Sequence, residues 1–499
     1  MGTTFLANTY QTANTAPNVL FELVAAGVLT SVFVPTFVDY LVKEKREEGW
    51  AAANALTSVA LVALVAISVI LALTAPYLMR ALTLGVEDDS LRVDQISLGA
   101  RFLRFFAPQV VFYGAGMIMT GALHAHRRFV LPAVAPIFNN VVVIGAYLGY
   151  AAMRGDRPPT VDGITGGEVL LLGAGTTMGV VAMTVVLVPQ LRRLGWRFRF
   201  TFDLRHPAVR RGARLGAWAL GYAGGYQAGL IVVLVLANRV EGGVAAYQWA
   251  FTFFYLPHAL FAVPIFNVLF TAMSEHAARE EGEGLVGRLR DGLSMLAFIF
   301  LPVSAFLFVA AQPLARLTLD YGVMTADGAT LVGRVISAFV VGLPAYSAFL
   351  VVTRAFYAIG ETKTPALVNA MTVVLSSIAG TLFFFSFSDE WSVAGLALGH
   401  SVAFAVGALV LGRALARRVG TIVDGDLLVA VGKSVLAGAA ALGVMLLARA
   451  ALPDDSRMEN VVEMCAVAGG GVLAYVAGAS LLGSRDLGRV TGLLGRSQS

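Results

Sequence analysis

Apolar runs of 20 or more residues recur along nearly the whole chain, broken only by short charged segments. A helix rises about 1.5 Å per residue, so such a run crosses a hydrocarbon layer about 30 Å thick. Inside lipid every backbone N–H and C=O needs an internal partner, which leaves helices and closed barrels as the spanning structures. A barrel would show short alternating strands, and that alternation is missing here. The pattern predicts an all-α integral membrane protein. Composition agrees, with 58% hydrophobic and 13% charged residues, about half the charged share of a soluble domain.

Thirteen spans are expected, at about residues 4–42, 51–79, 95–122, 129–153, 167–190, 215–238, 244–274, 291–315, 331–353, 365–387, 392–412, 427–448 and 459–483. The segments between them alternate in charge. Segments 43–50, 123–128, 191–214, 275–290, 354–364, 413–426 and 484–499 together carry 24 Lys and Arg, against 8 in the six intervening ones. Excess Lys and Arg marks the cytoplasmic side of a membrane protein. The C-terminus is therefore expected in the cytoplasm and the N-terminus of this chain outside. An odd count with an uncharged start points to one helix missing upstream, and Met1 to Thr4 shows no cleavable signal.

Net charge is +5, but the basic residues sit in the connecting segments and form no nucleic-acid face. The most basic segment, 191–214, holds Arg192, Arg193, Arg197, Arg199, Arg205, Arg210, Arg211 and Arg214. It reads as a topology anchor that touches anionic lipid heads, or as a surface that captures substrate. The single cysteine, Cys465, excludes an intrachain disulfide and suggests no metal cluster.

The chain also repeats itself. The turn Ala122-Leu-His-Ala-His-Arg-Arg-Phe-Val-Leu-Pro132 has a counterpart 233 residues later in Ala355-Phe-Tyr-Ala-Ile-Gly-Glu-Thr-Lys-Thr-Pro365. Each ends a span, makes a short polar turn and opens the next span near a proline, where the missing N–H costs little. Pro17 and Pro257 each interrupt an earlier span. Six spans separate the members of each pair, so the two halves are expected as like-oriented, pseudo-symmetric bundles around a central cavity, the parallel-repeat plan of transporters. The expected division is 1–200, 201–420, and 421–499 for two added helices and a short tail. Pro17, Pro35, Pro108, Pro257, Pro264, Pro302 and Pro344 should kink their spans.

Ionisable groups within spans are the candidates for function, because an unpaired charge there costs at least about 2.5 kcal/mol. Glu22 is one, as a cation, proton or substrate-amine site; the alternative is a neutral, hydrogen-bonded structural glutamate. Arg101 and Arg104, three residues apart, share a helix face and suit a pyrophosphate, or else snorkel to the headgroups. Gln248, His258, Gln227, Gln109 and Asn140 are polar groups in apolar spans, expected mostly as interhelical hydrogen-bond partners, and His400 as structural. Arg127 and Arg128 in the first turn, with Arg354 and Lys363 around the second, are candidate gate residues or plain anchors. No phosphate-binding Gly-rich loop with Lys-Ser/Thr and no His-Glu-x-x-His pair is present. A transporter is expected, not an enzyme, with no metal and no cofactor beyond the membrane potential or a coupling cation.

At these residues the chain resembles the MurJ (MviN) family of lipid II flippases. The resemblance rests on Asn14 to Pro35, on Arg127 to Asn140, on Ala246 to Val263, and on Phe356-Tyr-Ala-Ile-Gly-Glu-Thr-Lys-Thr-Pro365, and it runs from about residue 7 to 480. It implies fourteen spans with both ends cytoplasmic, of which this chain matches the second onward. The family's arginine-bearing first helix would be absent, through a late start codon or in a degenerate paralogue. By resemblance, Asn8, Asn18, Thr252 and Tyr255 join the candidate binding set. The chain departs from the family at Phe21 and Glu22, where many members carry an arginine pair, at Asn8 for an aspartate, and at Thr252 and Tyr255 for an arginine and a glutamate.

What the resemblance implies is a flippase of the bacterial plasma membrane. It would move a polyprenyl-pyrophosphate-linked peptidoglycan precursor from the inner to the outer leaflet by alternating access. Its partners would be the anionic lipid-linked saccharide, membrane lipids and cell-wall synthesis proteins. The rivals are a flippase for another lipid-linked glycan, a cation-coupled drug exporter, and a non-transporting cell-wall scaffold.

Overall fold

Polar residues set where the helices begin. The computed structural model describes residues 2–28, 46–204, 227–279, 281–321, 323–452 and 457–489. In it Asp88 accepts hydrogen bonds from the backbone N–H groups of Ser90 and Leu91, and Thr165 and Glu168 form a reciprocal capping box. Thr325 accepts from Gly328 and Asp424 from Leu427 in the same way. Each cap satisfies N–H groups that a first helical turn leaves without partners. Glu168 is also buried between Arg154 (3.1 Å) and Arg157 (2.9 Å), closing the connection between its two helices.

The chain divides into two units, residues 3–241 and 242–499. The first contains α1 (Phe5–Val28), α2 (Arg46–Leu82), α3 (Asp89–Phe106), α4 (Gln109–Ala125), α5 (Val130–Arg154), α6 (Gly166–Val185), the short α7 (Val188–Arg193) and α8 (Gln227–Ala237). The second contains α9 (Gly243–Pro257), a π-helical turn at His258–Ala262, α10 (Val263–Ala278), α11 (Gly282–Leu319), α12 (Ala326–Val340), α13 (Leu343–Ala358), α14 (Lys363–Ser386), α15 (Asp389–Val419), α16 (Gly425–Ala451) and α17 (Arg457–Leu481). The described residues form helices and no strand.

Among the described residues ten helices, or eleven spans with α12 and α13 taken as one bent pair, are long and apolar enough to cross a membrane. They coincide with eleven of the thirteen expected spans. The remaining two expected spans run into residues 29–45 and 205–226, which lie outside the described residues. The outer faces carry rows of exposed apolar side chains, such as Val62, Val65, Val69 and Leu73 on α2, and Ile137, Val141, Ile144 and Leu148 on α5. Such faces are suited to hydrocarbon and would drive association in water.

The two units repeat one plan. Helices α2 to α6 of the first have the order of α11 to α15 of the second, with similar lengths for 37-residue α2 and 38-residue α11 and for 25-residue α5 and 24-residue α14. Within each unit the same neighbours pack, α2 on α3 and α4 as α11 on α12 and α13, and α6 on α3, α4 and α5 as α15 on α12, α13 and α14. The break between the third and fourth helices is mended alike. In the first unit Pro108, which has no N–H, lies at the break, and the Thr177 hydroxyl of α6 donates to the Phe105 carbonyl (2.7 Å). In the second, α12 and α13 bend by 45°, and the Ser401 hydroxyl of α15 reaches the Ala338 (2.9 Å) and Phe339 (3.1 Å) carbonyls. A hydroxyl re-satisfies backbone that the break sets free, which lipid could not do. Among the described residues of the first unit the last two helices have no counterpart. They pack on α11 through Phe298, Ala437, Ala441, Met445, Val467 and Tyr475, whose hydroxyl donates to the Phe298 carbonyl at 2.7 Å.

Candidate functional site

In the first unit the polar residues of α1 divide between structure and surface. Asn8 is fully buried and its side-chain amide donates to the Val240 carbonyl (2.8 Å). One turn on, Thr12 accepts from the Asn238 amide (3.0 Å), which also donates to the Leu82 carbonyl (3.2 Å). Tyr10 is buried edge-on between Phe102 and Phe106, with its hydroxyl 2.5 Å from that of Thr176 and 3.2 Å from that of Tyr147. Asn18 donates to the Asn14 carbonyl of its own helix (3.1 Å). Asn8 and Asn18 therefore each spend an amide on backbone. Helix α1 also carries Phe21 and Glu22, whose side chains lie outside the described residues.

Helix α3 presents an unusual face. Asp94, Ser97, Arg101 and Arg104 fall on one stripe at helical spacing, and both arginines are exposed, while Leu98, Phe102, Leu103 and Phe106 are buried on the other side. Neither Arg101 nor Arg104 has an ion-pair partner among the described residues. Two guanidinium groups one turn apart can grip a diphosphate through several charge-assisted hydrogen bonds. Such a face in contact with hydrocarbon would be costly, so it belongs against water.

In the second unit α9 presents a polar surface of a different kind. Gln248, Thr252 and Tyr255, at i, i+4 and i+7, line one face. Thr252 is exposed and donates to the Gln248 carbonyl (3.0 Å); Tyr255 is 44% exposed and stacks on Phe251 at 6.2 Å. His258, expected mostly as an interhelical hydrogen-bond partner, turns inward. It is 2% exposed, 3.1 Å from the Ser347 hydroxyl, with the Tyr346 ring 4.8 Å away. A π-helical turn begins at His258, directly after Pro257. His400 lies in the same aromatic cluster, between Phe254, Phe339, Tyr346 and Phe404.

The candidate gate residues all lie at the two repeated turns, and all four are exposed. In the first turn the N–H of Arg127 donates to His124 and that of Arg128 to Leu123, each at 2.9 Å. In the second, Gly360 donates to Tyr357 (3.0 Å) and Glu361 to Phe356 (2.9 Å). Every donor and acceptor corresponds at an offset of 233 residues, so both turns are one Schellman cap. Arg354 lies 5.9 Å over the Phe270 ring, and Lys363 opens α14. Glu361 pairs with Arg418 and accepts from the hydroxyl and N–H of Thr364, contacts that hold its carboxyl below the usual glutamate range, the hydroxyl most strongly. Gln109 donates to Thr177 (3.2 Å), and Asn140 accepts from Asn139 (3.4 Å).

Among the described residues no group of three or more His, Cys, Asp or Glu side chains could hold a metal ion. The Tyr10–Thr176–Tyr147 network and the Asn238 bridge escaped the sequence reading. Their partners are 137 to 226 residues apart, and no local pattern announces such pairs.

Comparison with known proteins places the chain. The family model described as lipid II flippase MurJ matches residues 1–455. A probable lipid II flippase MurJ of Rhizobium tropici is 27% identical over 404 residues, 81% of this chain and 73% of that protein. One of Synechocystis is 25% identical over 494 residues, 97% of this chain and 91% of its own length. A solved lipid II flippase MurJ in an inward closed conformation shares the fold with a TM-score of 0.76 and 19% identity, over 96% of this chain and 92% of the other. An inward-facing multidrug transporter of the MATE family shares it at 0.65, with 14% identity over 84% and 94%. With more than half of its length matched by one family model, the chain belongs to the lipid II flippase MurJ family.

Proposed function

We propose that this chain is a flippase of the bacterial plasma membrane that carries lipid II, a polyprenyl-pyrophosphate-linked peptidoglycan precursor, from the inner to the outer leaflet by alternating access. The observation that carries the reading beyond family membership is the α3 stripe. Arg101 and Arg104 stand exposed, with no ion-pair partner among the described residues, on one stripe of α3, the chemistry that a pyrophosphate requires. Gln248, Thr252 and Tyr255 supply neutral hydrogen-bonding and stacking groups suited to a saccharide. Glu22 binds a proton, a cation or a substrate amine. Arg127, Arg128, Arg354 and Lys363 gate the cytoplasmic side, where the Lys and Arg bias puts both turns and the C-terminus, leaving the N-terminus of this chain outside. Cell-wall synthesis proteins receive the product.

The test is complementation of a strain depleted of its lipid II flippase, with a parallel assay of lipid II translocation in proteoliposomes. The unaltered chain should restore growth, and R101Q/R104Q should lower translocation at least tenfold while leaving expression and thermal stability intact. An active chain that is indifferent to R101Q/R104Q removes the pyrophosphate assignment. A chain that exports a cationic drug and leaves lipid II in place makes the MATE-like exporter the correct reading.

A further inference from the structure

A cavity of about 710 Å3 at one end of the first unit takes no part in the roles above. After α7, Gly195 (φ +87°) turns the chain into a strap without helix or strand over residues 196–204. Two residues one turn apart on α2 bind the strap. Asn54 accepts from the Trp196 ring N–H (2.9 Å) and donates to the Arg197 carbonyl (3.4 Å), and Ser58 accepts from the Thr201 N–H (2.9 Å). Trp50 stacks parallel on both His126 (5.3 Å) and Trp196 (5.9 Å). The cavity opens beneath this strap, with Leu61 and Met119 as apolar wall and Thr57, Arg192, Trp196 and Arg197 around them.

Three features describe its occupant. The strap alternates aromatic and polar residues, and Phe198, Phe200 and Phe202 are exposed, the composition of a segment lying at a membrane–water interface. Arg192 and Arg197 have no carboxylate partner among the described residues. The Thr57 hydroxyl is buried at 4% exposure and has no hydrogen-bond partner among the described residues, which a ligand acceptor would satisfy. Guanidinium groups with a hydroxyl suit a phosphate, and the aliphatic wall suits hydrocarbon.

We infer that this cavity is a binding site for one anionic phospholipid of the surrounding leaflet. Its phosphate lies between Arg192 and Arg197 with Thr57 as a further donor, and an acyl chain lies along Leu61 and Met119. The bound lipid fixes the strap to the bilayer. The assignment stands whether or not the chain translocates lipid II.

Native mass spectrometry of the full chain in detergent, titrated with phosphatidylglycerol and separately with phosphatidylcholine, tests it. One phosphatidylglycerol should bind in preference to phosphatidylcholine. Each arginine near an anionic head contributes roughly fivefold, so R192Q/R197Q should weaken that site on the order of 25-fold. R193Q/R199Q, which removes equal charge beside the cavity, should change it only a few-fold. Leu61→Trp fills the cavity without altering charge and should also displace the lipid, which covers a failure of R192Q/R197Q to fold. Equal affinity for the two lipids, or equal loss in the two arginine pairs, would overturn the site in favour of diffuse surface attraction. Stoichiometric displacement of phosphatidylglycerol by a polyprenyl diphosphate would instead make the cavity a substrate site.

Discussion

Arg127 holds a backbone conformation that its side chain disfavours. Its φ is +56°, and it is the one non-glycine residue at positive φ among the described residues. At the corresponding position of the second unit stands Gly360, at φ +76°. The identical hydrogen bonds of the two turns show that the cap itself demands the left-handed conformation, since the orphan carbonyls of Leu123 and Phe356 are reached only that way. A non-glycine residue there costs about 1 kcal/mol from contact of Cβ with the backbone. Arg127→Gly should therefore raise the thermal midpoint in detergent. Gly360→Arg should lower it by a similar amount, because no atom lies within 4 Å of a Cβ built on Gly360, leaving backbone strain as the difference. If Arg127→Gly lowers translocation while raising stability, the arginine serves the gate at the expense of the fold.

At the scale of elements, the two turns share a backbone but differ in their side-chain contacts. Glu361 pairs with Arg418 and with Thr364, whereas its counterpart is Arg128, of opposite charge. Because the folded carboxyl titrates below its unfolded value near 4.3, its stabilisation is complete above that pH and disappears as pH falls through the folded value. Wild type and E361Q should thus differ in thermal midpoint at pH 7 and converge as the pH falls through the folded carboxyl's value, below its unfolded one. A constant difference across that range would exclude the ionised pair as the source. Element identity was largely legible beforehand: eleven expected spans reappear because lipid imposes length and apolarity on each one separately, and the 233-residue repeat could be read because turn chemistry is local. The facing of side chains was not. Nothing near His258 or Asn8 in the chain announces their partners, Ser347 and the Val240 carbonyl, 89 and 232 residues away.

At the scale of the molecule, two units built on one plan provide what alternating access needs, two similar bodies each with an exposed polar face on an apolar scaffold. In the proposed cycle the substrate's own charge would couple transport to the membrane potential. A pyrophosphate that carries two negative charges outward gains roughly 4.6 kcal/mol per 100 mV of inside-negative potential, equivalent to an accumulation ratio on the order of a thousand. Nothing else is required if no protein charge moves the opposite way. If Glu22 binds a cation, as proposed above, a cation carried inward on it would add its own gradient to the driving force. In proteoliposomes with a potassium diffusion potential, lipid II translocation by the wild-type chain should rise with inside-negative voltage and collapse when valinomycin and equal potassium abolish it. Glu22→Gln should leave that voltage response in place and remove any dependence on a sodium or proton gradient. Translocation that persists unchanged at zero potential, and that tracks the cation gradient in wild type alone, would assign the work to the coupled ion and reduce the charge of the substrate to a matter of recognition.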